Sequence, residues 1–189
     1  MTDQTTSAPA THLELLTDAH AWLADRIAHV ETDGLRSPTP CAEFDVATLL
    51  DHLATSVERF TASLSGTPQL PGVVPTTVDD VTARYRALRR ANLAAWAEAD
   101  MAATYRVPLG DVPAAVVANL NVAEVVLHGW DIGRATGECA DVPDHLARAI
   151  HAFGLAFLSD DLRTIAFGPA VQCEGTASDE MAAFYGRRP

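Results

Sequence analysis

The chain has 189 residues, enough for one domain with a sizeable core and too few for two comfortable ones. Thirteen Lys+Arg against twenty-five Asp+Glu give a formal net charge of −12, which sets the chain against phosphate backbones and anionic lipid, so neither nucleic acid nor a membrane is an expected partner. Hydrophobic residues make up 48% of the sequence and aromatic residues only 6%; with Ala and Leu abundant and long β-branched runs scarce, the expected fold class is all-α.

The first residues, MTDQTTSAPATH, lack the basic and apolar regions of a signal peptide and read as a disordered tail over 1–10. No apolar run approaches the ~20 residues that span a bilayer, so a soluble, cytoplasmic protein is expected. A helical pattern follows over about 11–33, with Leu13, Leu16, His20, Leu23 and Ile27 on one face and Gly34 as its stop. After a turn-rich connection that contains Cys41, the second helix runs over about 45–65. Asp45 is its N-cap, and Val46, Leu49, Leu50, Leu53, Val57, Phe60 and Leu64 recur at intervals of three and four. Prolines and glycines in SGTPQLPGVVPTT (65–77) make that stretch a long connection. Thr77 and Asp80 offer a capping box for a third helix over about 78–100.

A second connection leads to Pro113 and a fourth helix, ended by Gly137. This helix is apolar almost all round, as a buried helix should be, except for one stripe made of Asn121, Glu124, His128 and Asp131. Buried carboxylate and imidazole groups cost several kcal/mol each unless they are paired, hydrogen-bonded or bound to a metal. A fifth helix starts at Pro143, and a short one near 178–186 closes the chain. Four long helices with additions suggest a four-helix bundle with C-terminal helices, a single domain over 1–189.

Glu124 and His128, four apart on one helix, can reach the same ion, and His52 flanks the apolar stripe of the second helix, where it points at a neighbouring helix. One carboxylate and two imidazoles suit zinc, iron, nickel or manganese. Heights along the helices add a condition: His52 lies roughly 10 Å from the start of its helix and His128 roughly 12 Å from the end of the fourth, so they are level only if the two helices are antiparallel. An up-down-down-up bundle meets that condition, with 65–77 as its crossover. Asp131 reads either as the carboxylate that orients a ligating histidine or as an i,i+3 partner of Arg134. His20 reads as a satisfied core histidine, His12, His29, His145 and His151 as surface positions, and Cys41 as a small structural hydrophobe. Cys139 and Cys173 complete three widely spaced cysteines with no CxxC, which fits neither a disulfide framework nor a zinc ribbon.

The segments PTPCAEFDVATLLDHLATSVERF (38–60), AEVVLHGWDIGRATG (123–137) and FGPAVQCEGTASDEMAAFYGRRP (167–189) resemble the actinobacterial DinB-like family that shares the metal-binding domain of mycothiol-dependent maleylpyruvate isomerase. The resemblance implies an up-down-down-up four-helix bundle with a divalent metal, zinc first, held by His52 and by the Glu124 and His128 of an E-x-x-x-H. It also implies mycothiol as cosubstrate with an electrophilic small molecule, in a monomer or homodimer. Phe44 stands where relatives carry tryptophan, and at 189 residues the chain is without the isomerase's C-terminal domain, which points away from maleylpyruvate isomerisation itself. Two functions follow as expectations: a thiol S-transferase or isomerase-type enzyme in which metal activates a thiol, or a non-catalytic metal- or small-molecule-binding protein. A metal-free bundle with a buried Glu–His pair is a third.

Overall fold

Side-chain caps set where most of the helices begin in the computed structural model, which describes residues 10–41, 44–67, 77–138 and 141–189, with the side chains of 164–166 excepted. The tail up to residue 9, positions 68–76 of the expected crossover and Cys139 lie outside the described residues. Thr11 and Glu14 form a capping box for α1 (His12–Ala28), Asp45 caps α2 (Val46–Ser65) and Thr77 caps α3 (Val78–Ala97) through the Asp80 amide. Helix α1 stops short of the expected residue 33. The amides of His29 and Val30 bond back to the carbonyls of Arg26 and Ile27, and three of the next four residues, Val30, Thr32 and Asp33, are poor helix formers. A 3-10 turn, Asp33–Arg36, takes up Gly34.

The second connection holds an antiparallel hairpin that was not expected, β1 (Thr104–Val107) with β2 (Gly110–Pro113), turning at a glycine of φ 108°. Helix α4 (Ala114–Thr136) follows and ends at Gly137, whose φ of 77° is the left-handed conformation that closes many helices. Then come α5 (Asp144–Phe157), α6 (Asp160–Ala166), which was not expected, and α7 (Ala177–Phe184). The protein is mostly helical, as its composition indicated.

Cross-helix contacts fix the directions of the four long helices. His12 bonds to Asn119 near the start of α4 and Trp22 packs on Gly129 near its end, so α1 and α4 run parallel. Asp51 meets Arg84 and Thr61 meets Asn92, so α2 and α3 run parallel to each other. His52 packs beside His128, whereas Ser63, further along α2, donates to the Arg106 carbonyl that precedes α4; α2 and α4 are therefore antiparallel. The bundle is up-down-down-up, with α1 and α2 each packed on α3 and α4. Its core runs from Leu16, Leu23 and Ile27 of α1 through Leu49, Leu53 and Val57 of α2 to Val122, Val126 and Ile132 of α4, all buried.

Candidate metal centre

The antiparallel α2–α4 contact brings His52, Glu124 and His128 to one height, with one potential ligand atom from each lying within 4.8 Å of the others. His52 Nε2 is 3.0 Å from Glu124 Oε1, and His128 Nε2 is 3.5 Å from the same oxygen. Despite this closeness, Oε1 is buried and has no hydrogen bond of acceptable geometry among the described residues. Two imidazole nitrogens and a carboxylate oxygen converge there on a common point, as a donor set around a cation does.

Electrostatics favour the ligating form of the carboxylate. Burial pushes the Glu124 carboxyl up, but the neighbouring His128 and His52 imidazoles and a Ser56 hydrogen bond outweigh it, and the group titrates well below the usual carboxylate range. Its approach to Glu124 raises the pKa of His52 against the opposing effect of burial. The anionic oxygen is thus balanced by positive charge drawn onto α2, a role that a divalent cation between the same atoms would take over.

His128 is fixed from behind. Its Nδ1 lies 3.1 Å from Oδ2 of the fully buried Asp131, and because a carboxylate only accepts, Nδ1 donates and Nε2 is the ring nitrogen turned toward Glu124. Asp131 is held in turn by Arg187, whose Nε and Nη2 donate at 3.1 and 2.7 Å. The expected alternative for Asp131 does not form: Arg134 stacks on Trp130 and approaches Asp179. Arg187 went unnoticed in the sequence, since a contact across 56 residues carries no local pattern.

The polar stripe of α4 therefore has three separate destinations. Asn121 accepts a hydrogen bond from the Trp96 indole at 2.9 Å, Glu124 and His128 face His52, and Asp131 faces Arg187. His20 is a satisfied core histidine, bonded through Nδ1 to the Tyr85 hydroxyl at 2.7 Å and through Nε2 to Asn92 at 3.1 Å. His29 and His145 are exposed, while His12 and His151 are half-buried. Cys41 is half-buried too, and it lines the cavity onto which the cluster opens. That cavity has a volume of about 740 Å³ and is walled by α2, the hairpin turn, α4, α5 and the segment after α7. One carboxylate and two imidazoles on one side, with open space on the other, fit a divalent cation that keeps coordination positions for a further ligand.

The family model described as the mycothiol maleylpyruvate isomerase N-terminal domain, the DinB-like metal-binding domain, matches residues 16–133, from the first turns of α1 almost to the end of α4. Proteins from two strains of Mycobacterium tuberculosis, both described as uncharacterized, are each 32% identical over 168 residues, covering 85% of this chain and 89% of their own length. No solved structure matches the chain. With a family model spanning more than half its length and carrying both helices of the His–Glu–His cluster, the chain belongs to the mycothiol maleylpyruvate isomerase N-terminal domain family.

Proposed function

We propose that the protein is a divalent-metal-dependent thiol S-transferase that uses mycothiol, with His52, Glu124 and His128 as the metal ligands and zinc as the first candidate ion. The observation that carries this reading is the convergence of the buried Glu124 carboxylate and two imidazoles at the wall of a large cavity. A bound divalent cation favours thiolate over thiol, which is the chemistry a transferase of this kind needs.

The chain's own residues do the rest. His52, Glu124 and His128 present their donors from two antiparallel helices, so closing the site costs little rearrangement. Asp131 fixes the tautomer and ring plane of His128, and Arg187 fixes Asp131. The mainly apolar walls beside the cluster lower the local dielectric and strengthen each charge interaction within it. In the overall transfer a C–S bond forms at the electrophilic carbon, the leaving group departs with the electrons of its own bond, and the thiol proton goes to solvent. The family description names mycothiol, and the cavity has room for a small electrophile beside a thiol.

The test has two arms. Metal analysis of untagged protein should show about one divalent ion per chain, and His128→Ala should lose most of it while His145→Ala keeps it. Transfer of mycothiol to 1-chloro-2,4-dinitrobenzene should then stop on chelation and return on readdition of metal. Stoichiometric metal in His128→Ala protein overturns the ligand set. Transfer at an undiminished rate by stripped protein overturns the metal-dependent mechanism. Metal without any turnover favours a binding protein instead.

A further inference from the structure

The chain has six phenylalanines, and none of them is among the fully buried core residues. Five of the six, Phe44, Phe60, Phe153, Phe157 and Phe167, line the cavity beside the His–Glu–His cluster. All five are half-buried. Folding normally hides such rings, because each Å² of apolar surface left wet forgoes about 25 cal/mol. Here they form one surface that starts at the cluster itself: the Phe44 ring lies 5.2 Å from that of His52, and across the cavity Phe153 and Phe157 stack at 5.0 Å with planes only 14° apart.

Charge is sparse around this surface. Besides the cluster, the charged side chains lining the cavity are Arg59 and Arg187. Arg187 is spent on Asp131, and Arg59 also has a partner. A dicarboxylate could set one end at the cluster, but its second carboxylate would meet a wall in which five phenylalanine rings outnumber two arginines, each already engaged with another group. The formal charge of −12 adds long-range repulsion.

We propose that this cavity binds an uncharged, aromatic or largely hydrocarbon small molecule, seated on the Phe153–Phe157 pair with its reactive end toward His52, and that it selects against small dicarboxylates of the maleylpyruvate kind. Its role as electrophile rests on the thiol-transferase reading; the binding itself does not. A volume of about 740 Å³ lies within the range of small-molecule sites, and direct continuity with the cluster places the ligand where a thiol would meet it.

The experiment is an equilibrium titration of metal-free protein, without thiol, using the uncharged fluorophore N-phenyl-1-naphthylamine. Saturable binding of one probe per chain is expected, displaced by 1-chloro-2,4-dinitrobenzene and unaffected by equal concentrations of maleate. Phe153→Ser and Phe157→Ser should each weaken the probe by about tenfold with helical circular dichroism unchanged. If either variant unfolds, the competition on wild-type protein decides alone. Absence of saturable binding, which is also the outcome if another segment or copy of the chain fills the cavity, overturns the proposal. So does displacement by maleate as effective as that by chlorodinitrobenzene, or probe affinity unmoved in both folded variants. Failures of the two readings separate cleanly: probe binding without thiol transfer rejects only the transferase, and mycothiol transfer that prefers dicarboxylates rejects only the ligand class.

Discussion

Arg187 and Asp131 form a buried, two-contact ion pair whose value lies in what it orients. Burial raises the Asp131 carboxyl and the contacts from His128 and Arg187 override it, so the group stays ionised. Arg187→Ala would leave that charge stranded and should cost about 3–5 kcal/mol in urea unfolding, the usual penalty for breaking a buried pair. It should also weaken metal about 10- to 100-fold by competition with a chromophoric chelator, and Arg187→Lys, which keeps the charge but not the fork, should fall between. His20 gives a pH signature independent of the metal. Burial, the largest influence, lowers its pKa to about 4 despite the opposing hydrogen bond with Asn92. Unfolded chain takes up that proton as pH falls through the ordinary value of 6.5, while folded protein resists it down to about 4. Stability is therefore full above about pH 6.5 and declines as pH drops toward 4, by about 2 kcal/mol between pH 7 and pH 5 from this one group. His20→Gln should lower stability at neutral pH and flatten that decline. A pH slope identical to wild type would show that His20 does not titrate as described.

At the scale of elements, caps and periodicity were legible because they are local. Asp45, Thr77 and Gly137 each mark a boundary within a turn of where it falls, and the alternation of α2 is plain in the sequence. The hairpin at 104–113 escaped because four-residue strands carry too little pattern, and α6 escaped although Ser159 caps it and Asp160 and Asp161 fill its first turn. Two glycines test how elements are joined. Gly137, at φ 77°, has open space where a side chain would go, so Gly137→Ala should cost only the left-handed backbone penalty, about 1 kcal/mol. Gly186, at φ 83°, would put a Cβ 2.9 Å from the Gly168 backbone as well. Gly186→Ala should therefore cost more, about 2–4 kcal/mol in thermal or urea unfolding. Because Arg187 is the next residue, it should weaken metal binding too, which Gly137→Ala should not. Equal stability losses in the two variants would contradict the close approach of Gly186 to Gly168.

Across the whole molecule, the family match ends at residue 133, so α1–α4 are the shared frame and α5–α7 lie beyond it. The frame was readable because a height argument on His52 and the E-x-x-x-H of α4 demands antiparallel helices, a global conclusion from local spacings. The cavity wall was not, since Phe153, Phe157 and Arg187 meet the cluster only through tertiary packing. A cation held by His52 and by Glu124 and His128 would cross-link α2 to α4 and bind the folded chain alone. At a free metal concentration 100 times the dissociation constant, it should add about 2.7 kcal/mol of stability, or roughly 5–10 °C in Tm for a chain of this size. The increment should grow with the logarithm of metal concentration, vanish in His52→Ala and His128→Ala, and survive in Phe157→Ser, because Phe157 lies on α5 and on neither of the cross-linked helices. A Tm that ignores zinc, nickel, iron and manganese alike would mean that the Glu124 charge is neutralised by the histidines themselves and that α2 and α4 are held together by packing alone.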